Sequence, residues 1–83
     1  MAEAQALPRL HITVAHASQP GQVKLWELAL PMGATVADAL AALQARPPYA
    51  VAVNTQFVPA TEHPRHPLHA GDRVEVISPV TGG

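Results

Sequence analysis

Proline dictates where this chain can be helical. Nine prolines divide its 83 residues, and each one inside a helix would remove a hydrogen bond and clash with the preceding turn. The stretch between Pro31 and Pro47 is where a helical pattern survives. Thr35 followed three residues later by Asp38 is a helix start: the hydroxyl caps free amides, and the carboxylate lies near the positive end of the helix dipole. Val36, Leu40 and Leu43 fall on one stripe, while Asp38, Ala42 and Gln44 face water. The pattern predicts a helix from about Val36 to Ala45, ended by Pro47-Pro48.

The other apolar segments read as strands. Leu10, Ile12 and Val14 alternate with His11, Thr13 and Ala15, the period of a half-buried strand beginning near Arg9. Ser18-Gln19-Pro20-Gly21 is a turn signal, and Val23 to Leu30 returns as the second arm of an antiparallel hairpin. Its phase is ambiguous. Val23 and Leu25 share one face, while Trp26, Leu28 and Leu30 share the other, so either a bulge shifts the pattern or Trp26 sits at the surface. Tyr49 to Asn54 is apolar on both faces, as a central strand should be. Thr55-Gln56 turns the chain into a brief Phe57-Val58 strand. Pro59 to Ala70 holds three prolines and three histidines without periodicity and reads as a loop, with one short helical turn expected near Pro67 and Leu68. After Gly71-Asp72 the last strand runs from Arg73 to Ile77, with Val74 and Val76 inward and Arg73 and Glu75 outward.

Three segments follow from this pass: a flexible leader over residues 1–8, a folded domain over 9–77, and an extended tail over 78–83. The fold class is α+β, a mixed sheet of four to five strands with one main helix across one face. That order resembles the ubiquitin-like β-grasp, and the resemblance implies that the last strand lies in mid-sheet beside the first.

Size and charge restrict function. A domain this short hides only about 60% of the surface its unfolded chain exposes, which leaves little room for a buried catalytic cavity. Ile, Leu, Val and Phe make up about a quarter of the chain, above the level at which disorder is expected. A formal charge of −1, with five Lys and Arg spread along the sequence, gives no electrostatic footprint for nucleic acid or anionic membrane. Partners are therefore expected to be proteins. With no cysteine there is no disulfide framework, thiolate nucleophile or Cys-type zinc site. No apolar run reaches the length of a membrane span and no signal peptide is evident, so a cytoplasmic protein is expected.

The feature that carries chemistry is the ending Gly82-Gly83, six residues beyond a core strand and on a stem stiffened by Pro79. Glycines lack Cβ, so such an end can thread a narrow channel and adopt backbone angles closed to other residues. A terminal carboxylate, with a pKa of about 3.5, is an anion and a poor electrophile. Acyl chemistry at Gly83 needs activation first, for example transfer to AMP. The chain shows no Gly-rich phosphate loop and no nucleophile with an adjacent base. It reads as a protein co-substrate whose end reacts, with enzymes supplied in trans, rather than as an enzyme.

From Gly33 to Gly83 the sequence resembles the ubiquitin-like sulfur carrier proteins of thiamine biosynthesis, the ThiS family within the ThiS/MoaD superfamily. The shared residues are Gly33-Ala34-Thr35-Val36 with Ala39-Leu40, Val51-Ala52-Val53-Asn54, Phe57-Val58-Pro59, His63, Leu68, Gly71-Asp72-Arg73-Val74-Glu75-Val76 and Gly82-Gly83. The resemblance implies that an E1-like adenylating enzyme uses ATP to form an acyl-adenylate at Gly83, that sulfur from a donor replaces AMP, and that the thiocarboxylate gives its sulfur to thiazole synthase. Gly82 would be the slim neighbour of the reacting residue, and Pro79, Val80, Thr81, Gly82 and Gly83 the partner-binding tail. No cofactor would be bound by the carrier itself. Two departures bear on the pathway. Met1 to Pro8 and Ala15 to Gln22 exceed the compact opening of thiamine carriers, and the ending Pro79-Val80-Thr81-Gly82-Gly83 also resembles the small subunit of molybdopterin synthase, whose partner is that enzyme's large subunit. A plain β-grasp interaction module with inert glycines is the reading from another class.

Other groups point to structure. His63, His66 and His69 recur at every third residue, but Pro64 and Pro67 prevent a helix from aligning their rings, so no metal site is expected. Asp72 and Glu75 fit turn and strand-surface roles. Trp26 is a packing residue, or a partner anchor if exposed. Lys24 is the only lysine, so polymers of the ubiquitin kind have almost no acceptor here.

Overall fold

The structure, a computed structural model, describes residues 8–19 and 22–78. The leader over 1–7, Pro20-Gly21 of the hairpin turn and the tail over 79–83 lie outside the described residues. Five strands, one α-helix and one 3-10 turn follow along the chain: β1 (Arg9–Gln19), β2 (Gln22–Pro31), α1 (Val36–Leu43), β3 (Ala50–Val53), β4 (Gln56–Val58), the 3-10 turn (Ala60–Arg65) and β5 (Arg73–Ile77). The sheet order is β2-β1-β5-β3-β4. β1 and β5 run parallel and the other neighbours antiparallel. This five-stranded mixed sheet with its short helix is a β-grasp, and the last strand does lie beside the first.

Alternation decides which side of the sheet carries the helix. Leu10, Ile12 and Val14 of β1, Leu30 of β2, Val51 and Val53 of β3, Val58 of β4 and Val74 and Val76 of β5 are buried together with Val36, Ala39 and Leu40 of α1. Removing each of these larger side chains from water is worth about 1.5–3 kcal/mol relative to leaving it exposed. That core is complete by Val76, so the fold does not depend on anything after β5.

The ambiguity in β2 resolves through its register. Trp26 pairs with Val14, Leu28 with Ile12 and Leu30 with Leu10, which puts all three on the helix-bearing face; Val23 and Leu25 point to the other. The one register shift in the hairpin falls at Ala17/Gln19, beyond Trp26, and so does not move the tryptophan. Trp26 remains 38% exposed because its strand extends past the reach of the helix.

Helix α1 begins as the sequence predicts. The Thr35 hydroxyl accepts from the Asp38 amide, and the Asp38 carboxylate accepts from the Thr35 amide at 2.8 Å, a reciprocal capping box. Its end differs: Gln44 turns left-handed at φ 57°, stopping the helix at Leu43, two residues short of the predicted end and before Pro47 acts. The loop differs too. Its helical turn is at Ala60–Arg65 rather than near Pro67 and Leu68. Pro67 instead bridges to Thr35, and Leu68 is pulled into the core as its amide bonds the Ala34 carbonyl at 2.9 Å.

Candidate functional site

The reactive residues inferred from sequence, Gly83 and Gly82, and the tail residues Pro79, Val80 and Thr81 lie outside the described residues. The site that can be built is the platform from which this tail departs. β5 delivers the chain to Ser78, whose amide donates to the Ala17 carbonyl at 2.9 Å, continuing the parallel ladder with β1 by one residue beyond Ile77.

On the face away from the helix, the strand registers line up one row across the whole sheet: Leu25, Ala15, Glu75, Ala52 and Phe57. With neighbouring strands about 4.8 Å apart this row is roughly 19 Å wide. The next row toward the exit of β5 is Val23, Ala17, Ile77 and Ala50. Alanines therefore form a low floor, while Leu25, Phe57, Ile77 and Val23 stand at its rims, 63%, 68%, 53% and 57% exposed respectively. In the opposite direction the rows turn polar, with Glu27, Thr13, Arg73 and Asn54. A face with large apolar side chains gathered at one end is what a protein partner buries. Sequence reasoning did not single these residues out. The available signal was alanine at every second position, Ala15 and Ala17 in one strand and Ala50 and Ala52 in another.

The helix-bearing face at the same end carries a different group. Nε2 of His16 shares a 3.1 Å hydrogen bond with the Ser78 hydroxyl, and the His16 ring packs against Trp26 with centroids 6.1 Å apart and a tilt of 34°. Trp26, half packed and half exposed, thus borders the root of the tail. The sequence shows no nucleophile beside a base, but folding brings this hydroxyl and imidazole together.

The entry end of β5 is built from the Gly-Asp motif. Gly71 adopts φ 86°, a conformation that disfavours side chains, and its amide bonds the His11 carbonyl at 2.8 Å. The Asp72 carboxylate accepts from the His69 amide at 2.8 Å and from Asn54 Nδ2 at 3.0 Å, while Asn54 Oδ1 accepts from the Arg73 amide at 2.9 Å. Asp72 and Asn54 are thereby structural. Glu75 pairs only loosely with Arg73, at 3.7 Å.

The three loop histidines separate. His63 is buried, its Nε2 donating to the Val58 carbonyl at 3.1 Å and its ring stacked on Tyr49, so it is a core residue rather than a solvated one. His66 is half-buried and His69 exposed. Among the described residues no three His, Asp or Glu side chains converge as metal ligands, and no helix is long and apolar enough to cross a membrane.

No curated protein matches the chain. A family model does, over residues 22–83, from the first residue of β2 through the Gly82-Gly83 ending and about three quarters of the sequence. With a β-grasp sheet beneath an apolar face, and a core strand leading directly into the tail, that match is decisive: the chain belongs to the ThiS family, the small sulfur carriers of the ThiS/MoaD type.

Proposed function

We propose that this sulfur carrier works through Gly83. An adenylating partner enzyme binds the carrier, and a carboxylate oxygen of Gly83 attacks the α-phosphorus of ATP, forming the acyl-adenylate and expelling pyrophosphate. A sulfur nucleophile from a donor then attacks the acyl carbon; the carbon–sulfur bond forms as the bond to AMP breaks. The resulting thiocarboxylate passes its sulfur to thiazole synthase in thiamine biosynthesis. The carrier binds no cofactor; ATP and the sulfur donor belong to the partners. On this reading the protein acts in the cytoplasm, where ATP is available.

The observation that carries the proposal is the continuity of the family match from the β-grasp domain into Gly82-Gly83. The geometry around Ser78 supports it. Five residues follow Ser78, and at about 3.6 Å per residue they reach at most roughly 18 Å. The partner's reactive centre must come that close to the exit of β5, and the apolar rim formed by Ile77, Leu25 and Phe57 offers a docking surface within the same region.

Incubation with ATP, an adenylating partner and a sulfur donor, followed by intact mass measurement, tests the chemistry. The expected result is a mass gain equal to sulfur replacing one oxygen, located at Gly83; an unchanged mass refutes carrier function. The ending Pro79-Val80-Thr81-Gly82-Gly83 favours one competing assignment, the small subunit of molybdopterin synthase, with the same chemistry and a different acceptor. Copurification decides between them: thiazole synthase is expected, and the molybdopterin synthase large subunit in its place would reassign the pathway.

A further inference from the structure

Ser78 is the last described residue before the tail, and three independent constraints meet on it. Its amide is tied to the Ala17 carbonyl. Its hydroxyl is bonded to His16 Nε2. Pro79 follows it in sequence, and a following proline confines a residue to extended backbone. The His16 ring is itself held, because it lies against Trp26 on the neighbouring strand. All three side chains are on the helix-bearing face, whereas Ile77, one residue earlier, points to the apolar face. The chain is thus gripped from one side of the sheet where it leaves the other side free for a partner.

We propose that His16 and Trp26 form a clamp on Ser78 that fixes the direction in which residues 79–83 leave the domain, and so act as positioning residues for acyl activation at Gly83. The clamp deepens the carrier reading and rests on it for its purpose. The physical gain is preorganisation: a short tail searching from a fixed root samples fewer orientations than one searching from a root free to swing, so less entropy is lost when a partner captures it. A serine bonded to an imidazole is also the arrangement of a nucleophile and its base. Here no carboxylate among the described residues orients the ring; Trp26 packs against it instead, and the grip on Ser78 is the role this geometry supports. His16 lies in β1, outside the residues matched to the family, so the clamp joins a part of the chain the family shares to a part it does not.

The test separates the hydrogen bond from the packing. His16→Phe keeps a ring against Trp26 and removes the nitrogen; Ser78→Ala removes the hydroxyl; Ser78→Thr restores one. Each of the first two variants is expected to lower kcat/KM for ATP-dependent adenylation about fivefold, the equivalent of one ordinary hydrogen bond, and Ser78→Thr to retain most of the wild-type value. The double variant should be no slower than either single one, because both remove the same contact. Binding to the adenylating enzyme without ATP, read through the apolar face, should change less than twofold. Additive losses, or losses that track thermal stability alone, overturn the clamp. A second measurement needs no partner: amide hydrogen exchange at Ser78 in the full chain should accelerate several-fold in His16→Phe while that at Val76 stays constant. Unchanged exchange at Ser78 overturns the clamp whatever the kinetics show. Failure of the wild-type protein to be adenylated defeats the carrier reading instead, and the exchange result still decides whether His16 holds Ser78.

Discussion

The two ends of β5 are held very differently. At the entry end, Asn54 and Asp72 close a network of side-chain and backbone bonds around Arg73, and the Thr13 and Gly71 amides tie the same turn to β1 through the Asp72 and His11 carbonyls. At the exit end, Ser78 has one backbone bond and one side-chain bond. The difference separates folding from presentation. The strand is anchored where it enters, so a partner can engage the exit, and even break the last bonds there, without unzipping the sheet. Motifs at the two ends then carry different meanings: Gly71-Asp72 secures the platform, and the segment after Ile77 uses it.

The largest expected break in this comparison comes from altering the end itself. Extending the chain beyond Gly83 should abolish the mass gain on incubation with ATP, adenylating enzyme and sulfur donor, and leave the unfolding midpoint where it was; a normal gain in the extended protein would show that the exit end carries no special group. Next, Asn54→Ala removes three side-chain and backbone-facing roles at once, because Asn54 sits at φ 50° as well as bonding Asp72 and Arg73. A loss of about 2 kcal/mol in urea unfolding is expected, with adenylation per folded molecule unchanged. A stability change below about 0.5 kcal/mol would remove the distinction between the ends.

A smaller effect should come from the apolar rim. Ile77→Asp places a charge where a partner would bury it, and roughly tenfold weaker binding to the adenylating enzyme is expected by titration calorimetry, because a few well-placed side chains dominate such interfaces. The side chain is exposed in the free protein, so stability should hardly move. Smallest of all, Arg73→Ala should change stability by no more than about 0.5 kcal/mol in thermal unfolding, since its pairing with Glu75 is long and solvent-exposed. A larger loss would mean that this pair shares the load now assigned to Asn54 and Asp72.

Much of the platform is legible in the amino-acid order. Alternation places β1 and β5, the Thr35 and Asp38 pair places the start of α1, and the apolar character of Val51 to Val53 on both sides anticipates an interior strand. Legibility fails where tertiary contacts choose between local options. β2 carries apolar residues on both faces, and only its register with β1 decides that Trp26 belongs with Leu28 and Leu30. The helix end depends on Gln44 accepting a left-handed conformation, for which no glycine gives warning. In the loop, His66 and Ala34 carbonyls capture the Val36 and Leu68 amides, drawing Leu68 inward and leaving the helical turn to Ala60–Arg65. For the site, the Gly-Gly ending is visible at once, whereas the rows around Ala15 and Ala52 and the bond between His16 and Ser78 join residues separated by more than half the chain.

The central position of β5 also bears on biosynthesis. A nascent chain that has emerged only as far as β4 holds two pieces of sheet, β2-β1 and β3-β4, with no strand to join them. The joining strand is the last to be made, and the tail comes immediately after it. Pairing over such sequence distances is slow to form, but it links the two events: a chain truncated before Arg73 has neither a closed sheet nor a reactive end, so incomplete products cannot occupy an adenylating enzyme as counterfeit carriers.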